Sequence, residues 1–291
     1  MQKDLESAYE FCRSLAKSHY ENFPVGSFLI PKDKRKYVYC IYAFARYADD
    51  IADSSEYDEE TKLQKLDSLE TELDKSIAGK EEVLNSDTGN IFLALSDTIS
   101  NLKIPVTEFK KLLSAFKQDS VYRDYKSFDE LLDYSDRSAN PVGHLVLNVF
   151  GYSKDDNEKL FSLSDKICTA LQLTNFWQDV SVDLKMNRIY IPADIMDEYG
   201  YDIGKLRNKT EDGSFRDIIK SLTDKTENLF DEGNEITDML KGRLKFEIKA
   251  TINGGRKILR KIRKIKYNVL NSRVSLNKAD KIKIISGSFF K

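Results

Sequence analysis

Two short stretches carry carboxylates at helical spacing. Tyr42, Arg46, Asp49 and Asp53 follow one another at intervals of four, three and four residues, and Asn175, Asp179 and Asp183 at intervals of four. On a helix such intervals put each set on one face. Every donor is an oxygen, which suits a hard cation such as magnesium, sharing its shell between protein, water and substrate phosphates; zinc is disfavoured. Val38, Ile41 and Ala45 lead into the first set, Ile167 and Leu171 into the second, so each apolar stripe turns polar where the core pattern would continue. Carboxylates on a buried face require compensating cations. Arg46 supplies one positive charge, and Asp50 points off the stripe as an outer ligand. One Asp pair of this kind is common on a solvated helix. Two such stripes on facing helices would clamp magnesium ions against a diphosphate and ease its departure by neutralising the developing charge.

The elements that must position these groups read as helices throughout. The chain has 291 residues, and only 5 prolines and 13 glycines punctuate it, which favours long helices over the frequent turns of an all-β fold. Leu5, Ala8, Cys12, Leu15 and His19 form an inward stripe over 3–20. Further helices are expected over 34–54, capped by Asp33, and over 61–78, 90–101, 106–118, 128–149, 155–186, 215–240 and 244–270. The result is an all-α bundle of roughly nine or ten helices. Arg188-Ile-Tyr-Ile-Pro192 is a connector, because Pro192 disfavours helix at Ile191. Without a repeat or a low-complexity linker, 1–291 is read as a single domain.

Cys12, Cys40 and Cys168 are odd in number and far apart, so neither a disulfide framework nor a zinc site is expected, and a reducing cytoplasm is the natural compartment. The first ten residues have no apolar run of the secretory type, and no segment approaches the ~20 apolar residues that span a bilayer. Net charge is −2, yet 243–291 carries fifteen Lys or Arg against Glu247 and Asp280. A solvated helix face explains this most simply; attraction to anionic headgroups or a diphosphate is the sharper reading. No nucleic-acid module is present, so no nucleic-acid partner is expected.

Tyr42-Ala-Phe-Ala-Arg-Tyr-Ala-Asp-Asp-Ile-Ala-Asp53 resembles the first aspartate-rich motif of squalene and phytoene synthases, and 175–183 resembles the second. Leu29-Ile-Pro31, Arg188-Ile-Tyr-Ile-Pro192 and Ile252-Asn-Gly-Gly255 extend the similarity over nearly the whole chain. The resemblance implies the isoprenoid (terpenoid) synthase helical bundle, with a central apolar cavity capped by two magnesium-binding aspartate clusters. On it, Asp49, Asp53, Asn175, Asp179 and Asp183 hold metal, while His19, Arg46, Gln172, Asn175 and Arg188 bind diphosphate. A lone inward histidine fits a core role as well as a ligand role, and the match favours the ligand for His19.

Two departures bear on the reaction. In members that condense two farnesyl diphosphates a tyrosine precedes the segment that here reads Arg137-Ser-Ala-Asn-Pro-Val-Gly143, so Arg137 takes its place. Gln178 stands where the family often has arginine, in Asn175-Phe-Trp-Gln-Asp179. With Glu21-Asn-Phe-Pro24, these features most resemble the hydroxysqualene synthase branch of bacterial hopanoid pathways. That implies ionisation of presqualene diphosphate, rearrangement, and capture of the cation by water, with no NADPH. The alternatives are another head-to-head synthase, using farnesyl or geranylgeranyl diphosphate to make presqualene diphosphate, squalene or a phytoene-type product, and a non-catalytic prenyl-diphosphate-binding partner. Tyr42 is the preferred wall residue beside the cation, whereas most of Phe44, Phe176 and Trp177 read as core. Arg137 and Asn140 either bind diphosphate or position water, or are a surface arginine and a turn asparagine before Pro141. A presqualene diphosphate synthase is the expected functional partner, and a peripheral contact with the inner face of the membrane follows from a lipid-like substrate.

Overall fold

Helix boundaries in this chain are set by capping side chains and prolines. In the computed structural model, which describes residues 2–18, 30–79 and 88–289, all regular structure is helical and no strand occurs among the described residues. Asp58, Ser127, Asp202 and Asp212 each accept a backbone N–H of the first turn that follows, satisfying a donor that the helix itself leaves open. No described helix is long and apolar enough to cross a membrane.

The chain divides into two compact units, 1–121 with 141–157, and 122–140 with 158–291. The first holds α1 (Gln2–Ser18), α2 (Lys32–Asp53), α3 (Glu59–Ile77), α4 (Gly89–Leu102), α5 (Val106–Ser120) and, from Pro141, α7 (Asn140–Val149). In this unit α2 packs against α1, α3, α4 and α5. Ala8, Ala16, Ala43 and Ala48 keep those approaches close, and Phe44 fills the centre edge-on to Phe92 and Phe109, with ring centroids 6.1 and 5.4 Å away. Cys12 and Cys40 are free thiols in the same core.

The second unit is organised on α8 (Glu158–Asp183), which runs 26 residues without Gly or Pro and carries α6 (Phe128–Ser138), α11 (Gly213–Gly233), α12 (Ile236–Met239) and α13 (Gly242–Lys264). The short helices α9 (Ala193–Glu198) and α10 (Ile203–Arg207) follow α8, and α14 (Lys278–Phe289) packs on α13. Trp177 is fully buried and donates to Thr226 Oγ1 at 2.8 Å, which makes it a core residue.

Several boundaries differ from those expected. Asp33 lies inside the first turn of α2, and Pro31 takes the cap position, its fixed φ of −54° suiting entry to a helix. The stretch 128–149 breaks at Ala139, because the ring of Pro141 and its missing N–H interrupt the ladder. The stretch 215–240 breaks at Asn234 and Glu235 between α11 and α12. Helices α9, α10 and α14 are additional to those expected. The expected positions of His19, of 21–24 and of Leu29 lie outside the described residues.

The pair Gly254 and Gly255 is asymmetric. A Cβ on Gly255 would meet Phe230 Cζ at 2.5 Å and Leu171 Cδ2 at 3.1 Å, whereas on Gly254 the nearest atom is Leu276 Cδ1 at 3.9 Å. Gly255→Val is therefore expected to lower stability by about 2 kcal/mol or more through overpacking. Gly254→Ala should gain up to about 1 kcal/mol, since it removes a helix-interior glycine without a clash. Urea unfolding midpoints of the two variants check both.

Candidate active site

The two acidic stripes end their helices. Asp53 is the last residue of α2 and Asp183 the last of α8, and neither last turn contains a basic residue. The C-terminal end of a helix carries a partial negative charge, so a carboxylate there is opposed by the backbone as well as by its neighbours. A cation close by would stabilise it.

In the first unit the deepest line of α2 runs through Cys40, Ala43, Phe44, Ala48 and Ile51. Tyr42, Arg46 and Asp49 lie on a half-exposed flank of the helix, and Asp53 is exposed. This corrects the expectation that the charged stripe continues the buried face. With α1, α3, α4 and α5 all packed on α2, the core takes a wide arc, and the line through Ile41 and Ala45 falls at its edge. Arg46 pairs with Asp50 at 2.6 Å and with Asp49 at 3.4 Å. Burial alone would lower its pKa, but Asp50 and Asp49 outweigh this and raise it. The Nε–H of Arg46 is buried with no acceptor among the described residues, leaving a donor that an anion would satisfy.

In the second unit Asp179 is held by both nitrogens of a guanidinium fork: Arg273 Nε lies 2.5 Å from Oδ1 and Nη2 3.1 Å from Oδ2. Sequence reasoning missed Arg273. It stands in a loop ninety-four positions from its partner, where no periodicity announces it. Gln178, beside Asp179, donates to the carbonyl of Val274 at 2.8 Å, so neighbouring residues of α8 grip neighbouring residues of that loop. Asp183 is half-buried, and its pKa is pushed up to about 7 by burial and by the charge of Asp179, with Arg188 and Arg273 opposing the shift. The chain turns after Asp183 through a 3₁₀ turn, Leu184–Met186, and Asn187 at φ 56°, and the Arg188 N–H returns to the Asp183 carbonyl at 2.9 Å.

The connector at 188–192 is fixed by aromatics. Tyr122 Oη accepts from Ile189 N at 2.6 Å and donates to Ile189 O at 2.5 Å, while Tyr190 stacks on Phe176 with centroids 3.9 Å apart. Tyr125 and Tyr134 complete the cluster. Phe176, Val180, Leu184, Tyr190 and Leu206 line a shallow, largely apolar recess that Asp183 and Arg188 edge.

The other expected site residues have the following surroundings. Arg137 pairs with Asp133 one turn back on α6, at 2.7 Å. Asn140 is buried, its amide donating to Asp136 and its carbonyl accepting from Thr169 on α8 at 3.0 Å, so it serves as a structural joint. Gln172 is half-buried and Asn175 exposed on α8.

The donor chemistry fits a divalent cation. Asp179 and Asp183 are oxygen donors one turn apart that repel each other, and two arginines leave Asp183 with a raised pKa. No group of three or more His, Cys, Asp or Glu poised to hold a metal occurs among the described residues. A cation held by one or two carboxylates completes its shell with water and phosphate oxygens, as magnesium does.

In the metal-free protein the raised pKa has a signed consequence. An unfolded Asp ionises near ~4, so between about pH 4 and 7 the folded state holds a proton that the unfolded state has lost, and stability falls as pH rises through that window. We expect Asp183→Asn to abolish on the order of 1 kcal/mol of this decline, a figure reduced for the solvent that reaches the group. Urea midpoints of both proteins at pH 5 and pH 8 in EDTA measure it.

Comparison with known proteins follows the same lines. The sequence matches the family model for squalene/phytoene synthase over residues 16–280. A hydroxysqualene synthase of Sinorhizobium fredii is 34% identical over 249 residues, covering 85% of this chain and 81% of that protein. The crystal structure of a squalene synthase from Alicyclobacillus acidocaldarius superposes with a TM-score of 0.83 at 36% identity, covering 91% of this chain and 96% of the other. A dehydrosqualene synthase solved with a ligand gives 0.84 at 24% identity, over 99% and 97% of the two chains, a likeness of fold.

Proposed function

This chain belongs to the squalene/phytoene synthase family, as an isoprenoid synthase acting on prenyl diphosphates, and from that premise we propose that it is a hydroxysqualene synthase. The reaction breaks the carbon–oxygen bond between the cyclopropylcarbinyl carbon of presqualene diphosphate and its leaving group, the electron pair departing with diphosphate. The cation rearranges, the oxygen of one water captures it, and hydroxysqualene, diphosphate and a proton result. Because the capturing group is water, the reading needs no hydride donor.

The observation that carries the proposal is the carboxylate pair in the last turn of α8, whose mutual repulsion, burial and position at the helix end favour an added cation. As the family resemblance implies, Asp49 and Asp53 on α2 would hold magnesium, and so would Asn175, Asp179 and Asp183 on α8. Bound there, it would neutralise charge on the departing diphosphate. Arg46, with its unsatisfied Nε–H, Gln172, Arg188 and His19 would bind diphosphate oxygens. Arg273 would join this set, because the guanidinium fork that now holds Asp179 suits an anionic oxygen pair. Tyr42 would wall the cation, and Arg137 would orient the diphosphate or the water.

The Sinorhizobium relative favours this product. The Alicyclobacillus squalene synthase favours a second reading, in which two farnesyl diphosphates are condensed. Incubation of the protein with magnesium and no NADPH, with presqualene diphosphate in one tube and farnesyl diphosphate in another, separates them by mass spectrometry of the lipid extract. Hydroxysqualene from presqualene diphosphate alone is expected; consumption of farnesyl diphosphate would transfer the assignment to the second reading. Asp179→Asn with Asp183→Asn should lower turnover by more than about a hundredfold, and EDTA should abolish it reversibly. Intact turnover in the double variant would overturn the catalytic reading.

A further inference from the structure

Helix α14 is attached to the second unit by a narrow seam. Asp280 and Ser288 are buried and Ile284 partly so, all on one side of the helix toward α13. Lys261 and Lys257 reach Asp280 at 2.5 and 3.3 Å, and Asn253 donates to Ser288 Oγ at 3.3 Å. The opposite side is open. Ile282 is 67% exposed and Ile285 41% exposed, the largest exposures of any isoleucine or leucine among the described residues. These two residues are three apart and so adjacent on the surface. Projected at 100° per residue, the exposed Lys281 and Lys283 fall on either flank of that pair and Lys278 beside it.

An apolar crest between lysines, on a helix whose inner side is already fastened, has the form of an element that lies in a bilayer interface. The isoleucines enter the headgroup and acyl boundary, and the lysine stems extend along it while their ammonium groups stay with the phosphates. Charge selects the sign of the surface. Arg256 and Arg263 of α13 are paired with Glu227, Asp231 and Asp224 of α11, and Lys257 and Lys261 with Asp280, whereas Lys278, Lys281 and Lys283 enter no ion pair among the described residues and leave the outer face of α14 positive. A nucleic acid would engage the lysines but gain nothing from the isoleucines, whereas a lipid surface takes both. We infer that the outer face of α14, centred on Ile282 and Ile285 and flanked by Lys278, Lys281 and Lys283, docks the protein on a membrane surface rich in anionic phospholipid. This inference is independent of which prenyl diphosphate is turned over.

The test is flotation of the full chain with vesicles of phosphatidylglycerol and phosphatidylcholine, against vesicles of phosphatidylcholine alone. The protein floats with the first and not with the second, and 0.5 M salt weakens the binding. Ile282→Ser with Ile285→Ser lowers the partition coefficient roughly tenfold. Replacing Lys278, Lys281 and Lys283 by Gln lowers it on the order of a hundredfold. Circular dichroism and turnover of a water-dispersed substrate stay unchanged in both. Failure of the unaltered chain to float, or flotation of the Ile variant equal to it, overturns the inference. So does an Ile variant that changes only the solution mass, which would assign the face to a second copy of the chain.

Discussion

A carboxylate at the C-terminal end of a helix works against the backbone dipole, and this protein places one at the end of each of its two motif helices, α2 and α8. Much of the local structure follows from that arrangement. Arg46 spans Asp49 and Asp50 on α2. On α8 the balancing charge comes from outside the helix, through the fork of Arg273 on Asp179 and the charge of Arg188 near Asp183. These arginines compensate only in part, since Asp183 still titrates near neutrality. A site left short of positive charge by its own protein favours an added cation, and the proposed magnesium requirement rests on that shortfall.

Holding such charges in place requires stiffness behind them. Trp177 and Thr226 lock α8 to α11, and the close approach at Gly255 brings α13 against Phe230 and Leu171. The connector beyond Asp183 is held at both polar atoms of Ile189 by one tyrosine and on its flank by the stacking of Tyr190 on Phe176. Groups carried on a packed helix and a clamped connector keep their geometry without help from the ligand.

Periodicity and spacing made the helical class, the two acidic stripes and the connector at 188–192 legible in the sequence. Local chemistry that periodicity does not encode was less so. Pro141 splits a continuous apolar pattern, and Pro31, not Asp33, begins α2. The apolar line through Ile41 and Ala45 suggested burial for Asp49 and Asp53, but four neighbouring helices draw the core of α2 to an adjacent arc. Arg273 and Tyr122 act from loops, and only tertiary contacts bring them to Asp179 and Ile189. The role of Gln178 was equally invisible, because a bond to the Val274 carbonyl depends on the neighbour's backbone and not on its side chain.

The division of the chain has a consequence for its synthesis. Each unit is built from two separated segments, and the segments interleave: 122–140 of the second unit precede 141–157 of the first. As the chain leaves the ribosome, α6 emerges before α8, the helix it packs against, and must wait for it. The first unit is likewise incomplete until residue 157 has appeared. A cut after 157 leaves all of the first unit on one fragment but carries 122–140 of the second with it, and a cut after 121 does the reverse, so no single cut parts the two units cleanly.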